Sequence, residues 1–143
     1  MDSPLSIRGS DLLTSVFGCW PSFHDAEVVR LELVRAPASA GGPGVLADVH
    51  AFEMTKEVGA DGHFILRHHV LVGFRFSGVH ELRLGGWNHQ NVLNGLSIED
   101  IQSGQFDELK FAVRFDGCWG VDAAFLCRDV AIESVHPWHC GDV

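Results

Sequence analysis

A histidine, an aspartate and a glutamate fall within one short stretch, "PSFHDAE" at 21–27, as His24, Asp25 and Glu27. Side chains of these types can share a divalent cation or divide the roles of general acid and base. A second polar group is "GGWNHQN" at 85–91, where Trp87 precedes Asn88, His89, Gln90 and Asn91. An exposed aromatic among amides can anchor a partner; asparagines beside glycines equally make a loop that caps its own backbone, with Trp87 filling the core. A third is "HPWHC", in which His136, His139 and Cys140 are of zinc-ligand type if the tail folds back. The chain has 9 histidines, yet none forms the H-x-x-x-H or H-E-x-x-H pair of a helical metal site. G-x-S-x-G and a phosphate-cradling glycine loop are also missing from the sequence.

What these groups can do depends on the elements that carry them. In "AEVVRLELVR" the apolar set Val29, Leu31 and Leu33 alternates with Arg30 and Glu32, the pattern of a strand with one wet face. If that strand begins at Phe23, His24 points away from Asp25 and Glu27, which then share the core side of Val29 and Leu31 at a sheet end. The two carboxylates would stand roughly 6 to 7 Å apart. That spacing suits a metal-dependent hydrolase using Asp25, Glu27 and a nearby histidine such as His89. It suits equally well two acids accepting hydrogen bonds at the end of a sheet, which is the plainer reading. "PSFHDAE" is therefore expected to anchor a first strand, and not to form a reaction centre.

The remaining pattern is mostly of period two. "GSDLLTSVFGCWP" predicts a short helix over about 10–18, capped by Ser10 or Asp11, with Leu12, Leu13, Val16 and Phe17 as its apolar stripe and Gly18 and Pro21 at its end. "VLADVHAF" sets Val45, Ala47, Val49 and Ala51 against Asp48 and His50, and a turn region at "TKEVGADGHF" reverses at Asp61-Gly62. Val70, Val72, Phe74 and Phe76 alternate next, with Leu82 and Leu84 continuing after a bend at Ser77-Gly78. "NVLNGLSIED" is extended, and Leu109, Phe111, Val113 and Phe115 form the clearest stripe of all. The parity change between Phe125/Cys127 and Val130/Ile132 calls for a bulge or turn at Arg128-Asp129. The fold class expected is mainly β, an antiparallel sandwich or partly open barrel of about seven or eight strands with a short N-terminal helix. A single domain spans 1–143, with the β domain at about 23–135 and a tail at 136–143. Were the barrel hollow, Phe74, Phe76, Phe111 and Phe115 would line a small-ligand cavity instead of filling a core.

The 143 residues carry 46% hydrophobic side chains, enough for one buried core. The formal charge of −9 repels nucleic-acid phosphates and anionic lipid, so neither is an expected partner and a charged partner should be basic. No stretch approaches the roughly 18 apolar residues of a membrane span, and "MDSPLSIRGSDLL" lacks the basic leader of a signal peptide. Cys19, Cys118, Cys127 and Cys140 lack C-x-x-C spacing. Free buried thiols in a reducing cytoplasm are expected, with no cofactor.

"PSFHDAEVVRLELVR", the later "GVHELRLGGWNHQNVLNGLSIED" and the closing "FLCRDVAIESV" together resemble immunity protein family 50, small bacterial proteins of polymorphic toxin systems. The resemblance implies a mainly β antitoxin that neutralises a co-encoded toxin by occlusion, without catalysis. His24, Asp25 and Glu27 fall on the FHD-x-E motif and Asn88, Gln90 and Asn91 on N-x-Q-N. The resemblance further implies a toxin that can be a nuclease with a basic groove, against which an acidic inhibitor gains association rate and orientation; tight inhibition needs an aromatic or charged anchor, which Trp87, Trp119 or Trp138 could supply.

Overall fold

The computed structural model describes residues 7–101 and 109–139. One helix, α1 (Ser10–Phe17), precedes eight strands among the described residues: β1 (Glu27–Val34), β2 (Gly44–Val58), β3 (Phe64–Ser77), β4 (His80–Gly85), β5 (Val92–Asp100), β6 (Phe111–Trp119), β7 (Asp122–Cys127) and β8 (Asp129–Pro137). They form one antiparallel sheet in the order β4-β7-β6-β5-β1-β2-β3-β8. The mainly β class with a short leading helix, expected from the alternation, is what the chain adopts.

Two short links force this sheet to curl. β7 and β8 lie six positions apart in the sheet order, yet only Arg128 separates them in the chain. β3 and β4 are likewise six positions apart and joined by Gly78 and Val79 alone. A flat sheet would put such strands about 29 Å from each other, far beyond the reach of one or two residues. The two ends must therefore come together, and the inner faces pack as a sandwich: Phe76 on β3 lies 5.9 Å from Phe115 on β6 and 5.0 Å from Phe125 on β7, ring centre to ring centre. The sheet stays open because β4 and β8 end the order without pairing to each other. The parity change at Arg128 is thus a change of strand, from pairing with β6 to pairing with β3.

The predicted inward stripes of β2, β3 and β6 are all buried, including Val49, Val72, Phe76 and Phe115 at full burial. Phe74, Phe76, Phe111 and Phe115 are packed solid, with Phe74 and Phe76 stacked 5.7 Å apart, so the hollow ligand-binding barrel is not what this chain forms. α1 buries Leu13 and rests Val16 and Phe17 on the core, while Leu12 is exposed and lies off the stripe. Its N-cap is Gly9 without a side-chain cap, where Ser10 or Asp11 was expected; Gly18 closes the other end as predicted.

Several expectations fail for identifiable reasons. β1 begins at Glu27, because Phe23 and Asp25 take positive φ of 61° and 64° and bend the chain into a turn. A register shift between Val28 and Arg30 then makes Val28, and not Val29, the buried residue, with Leu31 packed partly against the core. After Glu27 meets Val92, β1 has no further pairing with β5, so Leu33 and Val34 remain exposed beside an open seam. Leu82 and Leu84 are exposed because β4 is an edge strand. The turn region at 55–64 is shorter than expected: pairing runs out to Val58 and Phe64, forming a long arm whose turn uses Gly62 at positive φ. Thr55 braces this arm, donating to the Ile65 carbonyl at 2.7 Å and accepting from the Glu57 N–H at 3.2 Å.

Candidate functional site

Glu27 is the residue through which the two halves of the sheet are joined, pairing with His50 on β2 and with Val92 on β5. Beside it the outer face opens into a concavity of about 1000 Å³, walled by the outward side chains of β1 to β3, by the loop after β4 and by Trp138 and His139. Val28 occupies the core side, so its neighbour Glu27 is delivered to this outer face.

The loop is held by its asparagines. Buried Asn91 accepts N–H groups of Asn88 and Val121, both at 3.0 Å, and its amide donates to the Asn88 carbonyl at 2.8 Å. Asn88 in turn accepts the Gln90 N–H at 2.8 Å. The caps predicted for Asn88 and Asn91 are therefore present, but Trp87 does not plug the core: it is 44% exposed. Backbone packing explains this. Gly86 and Gly120 both have positive φ, and a Cβ on Gly86 would lie 2.2 Å from the Gly120 carbonyl oxygen. With the two backbones in contact, the loop lies flat against the β6–β7 turn and Trp87, Asn88 and His89 reach the concavity.

The opposite wall was not anticipated. The register that sets Ala51 opposite Val70 brings His50 and His69 together, with Nε2 of one 2.9 Å from Nδ1 of the other. One proton shared between those nitrogens makes this a hydrogen bond. Burial, and secondly the neighbouring His69, push the pKa of His50 below its ordinary value. The backbone N–H of Trp138 donates to the His69 carbonyl at 3.1 Å, and the indole ring centre lies 6.1 Å from the ring centre of His50. Alternation had placed Asp48 and His50 on the outer face; only the register could add His69.

The first polar stretch is divided between two environments. The turn aims exposed His24 at Asp25, Nδ1 to Oδ2 3.3 Å, while the Asp25 N–H donates to the Leu93 carbonyl at 2.9 Å. Glu27, by contrast, lines the concavity with His89, and Asp25 does not. The hydrolase set of Asp25, Glu27 and His89 is thus not gathered at one place, and Asp25 does not share a core side with Glu27. Among the described residues, no three His, Cys, Asp or Glu are grouped to hold a metal. In the tail, His136 is exposed on β8 and His139 lines the concavity, whereas Cys140 lies outside the described residues. Gln90 is exposed and outside the concavity. Cys19 and Cys118 are exposed free thiols, against the expectation of burial, while Cys127 is buried and its thiol pushed up to about 12 by desolvation. No helix among the described residues is long and apolar enough to cross a membrane.

No curated protein and no solved structure matches the chain. The family described as Immunity protein 50 matches residues 9–138, from the N-cap of α1 through both loops to Trp138. Covering most of the chain and every wall of the concavity but His139, that match shows that the chain belongs to the immunity protein 50 family.

Proposed function

We propose that this protein binds a cognate bacterial toxin in the cytoplasm and neutralises it by occlusion, without catalysis, and that the toxin presents a basic surface such as the substrate groove of a nuclease. Membership of an immunity protein family over residues 9–138 carries the reading. The formal charge of −9 supports the polarity of the partner, since an acidic inhibitor gains association rate and orientation against a basic groove. The concavity and its rim support the location. Glu27, Trp87 and His89 offer a carboxylate, an aromatic and an imidazole toward one partner, held from below by Asn88 and Asn91. His24 and Asp25, paired with each other just before β1, are further polar groups for such a contact. A stable complex needs about 800 Å² buried on each side, more than the concavity alone supplies, so the surrounding strands belong to the interface.

Co-expression with the product of the adjacent gene tests this. The expected result is rescue of growth and co-purification as a stable complex. A folded, active toxin whose lethality is untouched by an excess of this protein would refute it.

A further inference from the structure

We propose that the concavity is a receptor for one cationic side chain of the partner protein, arginine above lysine, with Glu27 as the carboxylate acceptor and the indoles of Trp87 and Trp138 as flanking faces. The inference rests on the reading of the chain as a toxin-binding protein and names the chemistry of the contact.

Glu27 supplies the first argument. It is half-buried at the seam of the sheet, and no hydrogen bond or ion pair engages its carboxylate among the described residues. The other charges of the concavity are already matched, Arg30 lying 3.6 Å from Asp48. A partner covering this surface with apolar groups would strip water from an unpaired carboxylate, which is strongly unfavourable. A cation would satisfy it. The aromatic walls supply the second argument. Trp87 is 44% exposed, and it lines the same concavity as Glu27 from the loop after β4, while Trp138, beside His50, lines it from the end of β8. A guanidinium can fork onto a carboxylate while lying flat on an indole, a combination an ammonium cannot match. Arg30, the one guanidinium of the described lining, is already paired with Asp48, and no three metal-ligating side chains are grouped among the described residues. The protein's net charge of −9 favours a basic protein surface as the source.

Two measurements test the proposal. Argininamide titrated into the isolated protein should change tryptophan fluorescence, citrulline amide should not, and Glu27→Gln should abolish the response. In the complex, Glu27→Gln and Trp87→Leu should each weaken toxin binding by about 30-fold or more, with melting temperatures near wild type, and Glu27→Asp should recover part of the loss. Toxin affinity within twofold of wild type for both folded variants would overturn the inference while leaving the immunity function intact. Tight argininamide binding combined with Glu27-independent toxin binding would overturn it too, marking a small-molecule site. Absence of any toxin binding by the wild-type protein would instead defeat the functional reading, and the argininamide titration would still decide the chemistry of the concavity.

Discussion

The amide of Asn91 joins three backbone groups from two segments: N–H of Asn88, N–H of Val121 and the Asn88 carbonyl. Removing it leaves two backbone donors with no acceptor in a site that water barely reaches, so Asn91→Ala should cost about 2 kcal/mol or more of stability in urea denaturation. Asn91→Asp keeps the acceptors and loses the donor, and should cost less. His50 gives a pH dependence of definite sign. Its folded pKa lies below the ordinary 6.5, so between the two values the unfolded chain binds the extra proton. The stability that His50 contributes is present above 6.5 and lost as pH falls toward the depressed folded value. The melting temperature should therefore drop between about pH 7 and about pH 5, and His50→Asn should flatten that slope. A slope unchanged by the substitution would place the pH sensitivity elsewhere among the histidines.

The loop after β4 and the β6–β7 turn work as one unit because two glycine backbones touch. At Gly120 a Cβ would lie 2.4 Å from the Gln90 carbonyl oxygen, at a positive φ of 77°. Gly120→Ala should therefore destabilise the fold by about 2 kcal/mol or more and shift the fluorescence of Trp87, whereas an alanine at Gly85, which meets nothing nearby, should change neither. The local pattern announced some of these elements and not others. β2, β3 and β6 were legible because Val45 to Ala51, Val70 to Phe76 and Phe111 to Phe115 repeat apolar residues at every second position, with Asp48, His50, Arg75 and Arg114 among those between. β1 misled because Phe23 and Asp25 adopt a conformation unusual for residues with a Cβ, and nothing in "PSFHDAE" marks it. The asparagine caps followed from residue type, but the outward turn of Trp87 follows from a contact between glycines far apart in the chain.

Charge acts on the molecule as a whole. With −9 spread over 143 residues, encounter with the basic toxin proposed above should be steered over distances of about a Debye length. The association rate should fall about tenfold or more between about 20 mM and about 500 mM salt, with a smaller change in dissociation rate; stopped-flow mixing measures both, and a salt-independent rate would deny the acidic surface a steering role. Composition and alternation were enough to establish an acidic, mainly β domain, most of its inward residues and the helix that leads it. Those properties are local: a side chain's face depends on its parity within a strand, and net charge depends on no geometry. Neighbourhood across the sheet is not local. Glu27 meets His50 and Val92, and His50 meets His69, through strand order and register, while the one residue between β7 and β8 and the two between β3 and β4 curl the sheet until its inner faces share a core. The concavity is a product of that closure and of strand register, so its walls come from five strands or loops whose sequences carry no mark of one another.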